Sequence, residues 1–91
     1  MSHCRQILVL AGRDHAEAMR VAAGLTIYGH QVELIFVDRI VEETEENMAQ
    51  AELLELSDIE PVSLLQDPNL NCIDNDQLAA AVLHADHVIN L

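Results

Sequence analysis

The hydrophobic and polar positions divide the chain into short apolar runs separated by longer amphipathic stretches. The first run, residues 5–11, is apolar at nearly every position and passes through Gly12 and Arg13 into a helical pattern. Apolar residues on both faces are typical of an interior strand of a parallel sheet covered on both sides. Residues 31–37 repeat this character and predict a second interior strand.

The stretch between these two runs predicts a helix with clear ends. Asp14 is a suitable N-cap, and Glu17 at the third helical position would complete a capping box. The helix should run to about Tyr28 and stop at Gly29. Residues 5–38 therefore predict one right-handed βαβ unit.

This first helix carries more apolar surface than one sheet requires. Only Glu17, Arg20, Gly24 and Tyr28 form a narrow strip that is not strongly apolar. The excess predicts contact with a neighbouring helix or a second subunit, with Val21 and Leu25 as interface candidates.

The second half of the chain is more polar and its elements are shorter. The acidic stretch 41–56 predicts a second helix, with Thr44 as its cap and Ala49, Leu53 and Leu56 on its buried face. The alternative is that its polar first turn forms a mobile loop. A short strand over residues 62–66 is expected to follow.

The remaining residues predict a loop, a helix and a last strand. Residues 67–74 are rich in turn formers and predict the loop. Asp74 and Gln77 can form a capping box at the start of a helix that ends near Ala85. Residues 87–91 predict the strand, and the helix should end between His84 and His87.

These elements predict one α/β domain over residues 1–91. We expect a three-layer architecture: a mostly parallel sheet of about four strands with helices on both faces, in a Rossmann- or flavodoxin-like topology. The composition agrees, since 51% of the residues are hydrophobic but only 2% are aromatic. Such a short chain buries a modest core, so association into an oligomer is expected.

Charge is distributed unevenly along the chain, whose formal net charge is -12. Residues 1–41 contain all four arginines and four acids, whereas residues 42–91 contain the other twelve acids and no lysine or arginine. The second half should repel nucleic acid and anionic membranes, which require clustered cations. A basic partner, a cation or simple solvation remain alternatives.

The N-terminus lacks the pattern of a signal peptide, and no apolar run approaches the ~18 residues of a membrane span. We therefore expect a cytoplasmic protein. The turn after the first strand has neither the spaced glycines of a dinucleotide loop nor the Gly-Lys-Ser/Thr of a P-loop, so no cofactor is expected.

Cys72 is the most interesting side chain chemically. It is expected in a loop between a strand and a helix, where a thiolate is favoured near a helix N-terminus. It is either a nucleophile or an ordinary small loop residue. Cys4 should lie at the opposite end of the sheet, too distant for a disulfide.

Three other residue sets are weaker candidates. His15 follows the first turn and could relay protons or simply occupy the helix surface. Arg13, at a helix start, could hold an anion. The spacing of His84 and His87 would suit two metal ligands, although two solvent-exposed histidines are the simpler interpretation.

The order of elements and the stretch from Leu25 to Asp38 resemble the small DsrE/DsrF/DsrH-like proteins, which include the sulfur-relay subunits TusB, TusC and TusD. Members often have an Asp-Gly-Val turn where this chain has Asp38-Arg39-Ile40. The resemblance implies a three-layer α/β fold, association into homo- or hetero-oligomers and, in some members, a cysteine that carries a persulfide after a central strand. Cys72 is the matching cysteine, six residues beyond the expected strand end.

Two functional hypotheses follow. In the first, the chain is a cytoplasmic DsrE-like subunit in which Cys72 accepts sulfur from a donor protein and passes it to an acceptor, with His15 and Arg13 nearby. In the second, it is a non-catalytic oligomeric scaffold or binding module of the same fold. A metal site at His84 and His87 is a third, weaker possibility.

Overall fold

A computed structural model describes residues 5–91, and these form five strands and three helices. In chain order the elements are β1 (Gln6–Ala11), α1 (His15–Ile27), β2 (Gln31–Phe36), α2 (Glu45–Leu56), β3 (Val62–Ser63), β4 (Asn71–Cys72), α3 (Asn75–His84) and β5 (His87–Asn90).

All strand pairs are parallel, and their order across the sheet is β4-β3-β2-β1-β5. The predicted α/β class and parallel sheet are confirmed. The strand count is corrected from four to five, because β4 lies where a loop was expected. Asn71 and Cys72 do not have the high strand propensity that would predict a strand. The strand is defined by its pairing with β3, and the Ile73 N–H that follows it is donated to Ser63 O.

The helices cover both faces of the sheet, as expected. α1 and α2 pack together over Val9, Ala11 and Phe36. The chain returns from one edge of the sheet to the other through α3, so a right-handed crossover places α3 on the opposite face. Side chains alternate along a strand, and Leu8 faces this second side beside Ala81 of α3.

α1 is the best-packed helix of the described chain. Six of its residues are buried: His15, Ala16, Ala18, Met19, Ala22 and Ala23. The Asp14 carboxylate accepts the Glu17 N–H, which confirms the predicted cap. The reciprocal half of the capping box is absent from this helix, because the Glu17 carboxylate pairs with Arg20 and the Asp14 N–H is donated to Leu91 O.

α1 ends at the glycine that the sequence indicates. The Gly29 N–H is donated to Thr26 O and the His30 N–H to Leu25 O, which is the Schellman pattern. Gly29 has φ +88°, a left-handed conformation that favours glycine. Gly24, inside the helix, has open space where a Cβ would stand, so no close packing contact explains this glycine.

α2 begins after Thr44, whose hydroxyl accepts the Asn47 N–H as expected. Its predicted buried face is wrong: Ala49, Leu53 and Leu56 are all exposed, and Leu54 is the buried residue. Leucines at three of its last four positions make the apolar face ambiguous from spacing alone. The helix turns so that Leu54 reaches the core, which Ile59 also joins.

α2 closes with the same hydrogen-bond pattern as α1. The Asp58 N–H is donated to Glu55 O and the Ile59 N–H to Leu54 O. The left-handed position, however, is occupied by Asp58 at φ 58° rather than by glycine. This helix end therefore bears a conformational cost that the end of α1 avoids.

α3 has the predicted capping box between Asp74 and Gln77, yet none of its residues is buried. It ends at His84 and β5 starts at His87, so the predicted boundary between the two histidines is confirmed. Among residues 5–91, no helix is long and apolar enough to cross a membrane.

Candidate functional site

From β1 the chain adds β2, β3 and β4 on one side of the sheet, and β5 then pairs with β1 on the other side. The strand order thus reverses between β1 and β5, and ligands of open parallel sheets bind at such a switch point. Here the backbone of Leu91 occupies this position. The Arg13 and Asp14 N–H groups, at 3.1 and 3.2 Å, both point to Leu91 O, while the Leu91 N–H is donated to Leu10 O. Two amides that could hold an anion at the start of α1 are therefore already paired.

Arg13 is exposed, and its backbone carbonyl accepts a hydrogen bond from Arg39 Nη2 at 2.7 Å. This contact ties the turn after β1 to the turn after β2. Arg39 thus links two strand ends, at the position where the sequence resemblance would have the glycine of an Asp-Gly turn.

His15 is buried, with 4% of its surface exposed, so the expectation of a helix-surface histidine is wrong. Its ring packs edge-on against Phe36, with the ring centres 4.9 Å apart, and its Nε2 has no hydrogen-bond partner. Burial, followed by the nearby Arg39 cation, lowers the pKa of His15. Its position against Phe36 therefore favours the neutral imidazole.

Cys72 is the last residue of β4 and is exposed, in a strand rather than in the predicted loop. Its Sγ lies 3.8 Å from Leu64 O and 3.7 Å from Ile73 O, and the thiol donates weakly to both carbonyl groups. α3 starts only three residues later, at Asn75. Cys72 occupies the carboxyl edge of the sheet, as expected.

The predicted neighbours of Cys72 are not brought together with it. β2 and β3 separate β4 from β1, and three strand spacings correspond to about 14 Å. His15 and Arg13 follow β1 and therefore lie well away from the thiol.

His84 and His87 are both exposed at the junction of α3 and β5. Within residues 5–91, no three His, Cys, Asp or Glu side chains are grouped so that they could hold a metal ion. Cys4 lies outside the described residues.

A groove of about 910 Å³ lies beside α2, and we call it the α2 groove. Its floor consists of core residues that are at most 7% exposed, namely Met19, Phe36, Leu54 and Ile59. Its upper walls are more accessible apolar residues: Val41, Met48, Ala51, Pro61 and Leu70. The volume lies in the range of small-molecule sites, which are concave and mainly apolar.

The charged residues that line the α2 groove are all acidic. Five are exposed: Glu42, Glu43, Glu55, Asp58 and Glu60. The sixth, Asp67, is buried, and its carboxylate accepts hydrogen bonds from the Val41 and Asn69 N–H groups. Asp67 thereby connects the segment before α2 to the loop before β4 and fixes one end of the groove.

Sequence reasoning did not identify this groove. It is formed by α2, the segment before it and the loops on either side of β3, together with Met19 and Phe36 from the first half of the chain. The available signal was the concentration of acids in residues 42–60, which is consistent with ordinary solvated surface. The apolar walls could be located only once the orientation of α2 was known.

The chain matches no family model, no curated protein and no solved structure. Its function must therefore be argued from its own residues.

Proposed function

We propose that this chain is a non-catalytic binding module whose α2 groove holds a small ligand with an apolar body. This proposal is supported by one observation: apolar floor residues and apolar upper walls line the same concave surface of about 910 Å³. Burial of an apolar ligand there is favourable by about 25 cal/mol per Å² of apolar surface removed from water.

The accessible walls supply the contacts for such a ligand. Met48 is 60% exposed and stands above a floor that is almost fully buried. Methionine is flexible and polarizable, so it adapts to irregular apolar ligands. α2 contacts α1 but has only one buried residue, Leu54, so it is the less deeply packed of the two helices on this face.

The test uses naphthylmethanol, a neutral aromatic alcohol, as the probe. The chain has no tryptophan and one tyrosine, so naphthalene emission can be followed with little background from the protein. We expect saturable binding in fluorescence titrations, with amide NMR shift changes concentrated in residues 41–61. Ala51→Phe should weaken binding by about tenfold, because a ring there fills the groove.

Ala79→Phe is the matched control, since Ala79 is an exposed alanine on α3, away from the groove. It should leave the affinity unchanged. The binding function would be refuted if naphthylmethanol and its amine analogue both failed to bind saturably, or if both variants lost affinity equally.

A second candidate is a persulfide carrier on Cys72, which the exposure of its thiol on an edge strand favours. The thiolate would attack the outer sulfur of a donor persulfide. A new S–S bond forms on Cys72, the donor S–S bond breaks, and the donor leaves as its thiol. This candidate keeps the DsrE-like resemblance and a cytoplasmic location as part of the proposal, and the parallel α/β sheet is compatible with it.

Mass spectrometry after incubation of the reduced protein with a persulfide donor tests this candidate. Cys72→Ser should lose the added sulfur and Cys4→Ser should retain it. If neither cysteine gains sulfur, the carrier function is excluded.

We also propose that copies of the chain associate through the α3 side of the sheet. Leu83 is 87% exposed, and Val82 and Val88 are exposed nearby in the chain, whereas Val21 and Leu25 of α1 are half-buried. Sedimentation should show an oligomer that Leu83→Asp dissociates and Leu56→Asp, at an equally exposed leucine on α2, does not. A monomeric parent chain would refute this proposal.

A further inference from the structure

The α2 groove combines two properties that together define a ligand class. Its floor and upper walls are apolar, whereas each charged residue that lines it is an acid. The arginines of residues 5–91 all occur at positions 5–39, and none of them lines the groove. We propose that the α2 groove selects an organic cation, an ammonium group attached to an apolar body; this inference rests on the binding function proposed above.

The acids that line the groove stand near both ends of α2. Glu42 and Glu43 precede its N-terminus, Glu55 lies in its last turn, and Asp58 and Glu60 follow its C-terminus. The potentials of these carboxylates add within the groove, so a cation is favoured along its length. An ammonium group there remains partly hydrated while its apolar body contacts the floor.

The same charges act against other ligands. An anionic ligand would meet carboxylates without a compensating cation among the lining residues, and this repulsion gives discrimination in addition to attraction. A neutral ligand would gain only the apolar contacts. The expected order of affinity is therefore cation, neutral molecule, anion.

Concavity and size favour a small molecule over a macromolecule. The groove encloses about 910 Å³, within the ~300–1,000 Å³ range of ligand pockets. A basic amphipathic helix would instead need an extended apolar surface for successive anchors. We therefore assign a small organic cation as the occupant.

The experiment compares three naphthalene probes that differ only in their polar group: naphthylmethylammonium, naphthylmethanol and naphthoate. At low ionic strength the ammonium should bind at least about tenfold more tightly than the alcohol, and naphthoate should bind more weakly than the alcohol. Salt at about 0.5 M should reduce the advantage of the ammonium to within about threefold, because it screens the carboxylates.

A triple variant, Glu42→Gln, Glu55→Gln and Glu60→Gln, identifies the groups responsible. It should remove most of the preference for ammonium and leave the affinity for naphthylmethanol within about twofold. The control combines Glu45→Gln, Glu46→Gln and Glu52→Gln, three exposed acids of α2 that do not line the groove. This control removes the same net charge and should retain the preference.

The outcomes separate the two proposals. If the alcohol and the ammonium both fail to bind, the binding function is refuted. If both bind equally, or if the two triple variants lose the preference equally, the groove binds ligands but the cation inference is wrong. It is also wrong if a basic amphipathic peptide saturates the groove while naphthylmethylammonium does not bind.

Discussion

α1 and α2 lie side by side on one face of the sheet, begin at a side-chain cap and end in the same hydrogen-bond pattern. They are nonetheless packed differently: α1 buries six residues, whereas α2 buries one. α1 has glycine at the left-handed position of its C-terminus, and α2 has Asp58. α1 is thus built into the core, while α2 rests on it and leaves the groove along its side.

The difference indicates that the core and the candidate binding surface are formed by different parts of this short chain. Residues 6–36 form a βαβ unit with aliphatic contacts on both strands, and this unit supplies most of the buried residues. The acid-rich second half contributes short strands and a weakly anchored helix. Stability is therefore concentrated in the part that carries no candidate ligand contacts apart from Met19 and Phe36.

The largest effect is expected from Phe36→Ala, because this side chain lies under both helices and is 1% exposed. Truncation of a buried phenylalanine costs about 3–5 kcal/mol. Urea denaturation should show this loss in the free energy of unfolding. Ile27→Ala, at an exposed residue, should change it by less than about 0.5 kcal/mol. A similar loss in both variants would contradict the assigned core.

Leu54→Ala should cost about 2–3 kcal/mol and should act mainly on α2, since Leu54 is its buried anchor. Hydrogen exchange should show faster exchange in residues 45–56 and little change in residues 15–27. Leu53→Ala, at a more exposed neighbour, is the control. Equal acceleration in both helices would mean that α2 is as firmly integrated as α1.

Substitutions at Gly29 and Asp58, the left-handed residues that follow α1 and α2, test the contrast between the two helix ends. Asp58→Gly should stabilise the protein and Gly29→Asp should destabilise it, each by about 1 kcal/mol, because a left-handed backbone disfavours side chains that carry a Cβ. Thermal denaturation should therefore give shifts of opposite sign. Two shifts of the same sign would show that other interactions dominate at one of these ends.

The smallest expected effect is the contribution of His15 to the pH dependence of the unfolding free energy. Its pKa is lowered in the folded protein by burial and by Arg39, whereas the unfolded chain has the ordinary value of about 6.5. Below that value the unfolded chain takes up a proton that the folded chain does not, so this contribution to stability is present above about pH 6.5 and declines as the pH falls.

His15→Phe should therefore flatten the decrease in unfolding free energy between about pH 7.5 and 5.5. His84→Gln, at an exposed histidine, is the control and should keep the slope of the parent chain. An unchanged slope in His15→Phe would contradict the role of burial.

The elements best predicted from sequence were those whose pattern and packing agree. For β1, α1 and β2, the apolar runs, Asp14 and Gly29 all point to the same boundaries, and the structure confirms them within one or two residues. The caps at Thr44 and Asp74 were predicted for the same reason: each depends on a local contact between a side chain and a nearby backbone amide.

The features that were missed depend on packing between elements, which the local pattern of residues does not show. β4 exists because β3 is beside it, and its own residues do not favour a strand. The orientation of α2 depends on which leucine reaches Ile59 and the core. His15 is buried because Phe36 packs against it, a contact that no spacing within α1 reveals. The α2 groove required all of these placements, so sequence predicted its acidity but not its existence.

The open space at Gly24 shows that α1 is not as stable as it could be. A methyl group there meets no other atom, and alanine in a helix interior is favoured over glycine by about 1 kcal/mol. Gly24→Ala should therefore stabilise the best-packed helix. The added stability could offset destabilising changes in the groove, such as new side chains that alter its ligand preference.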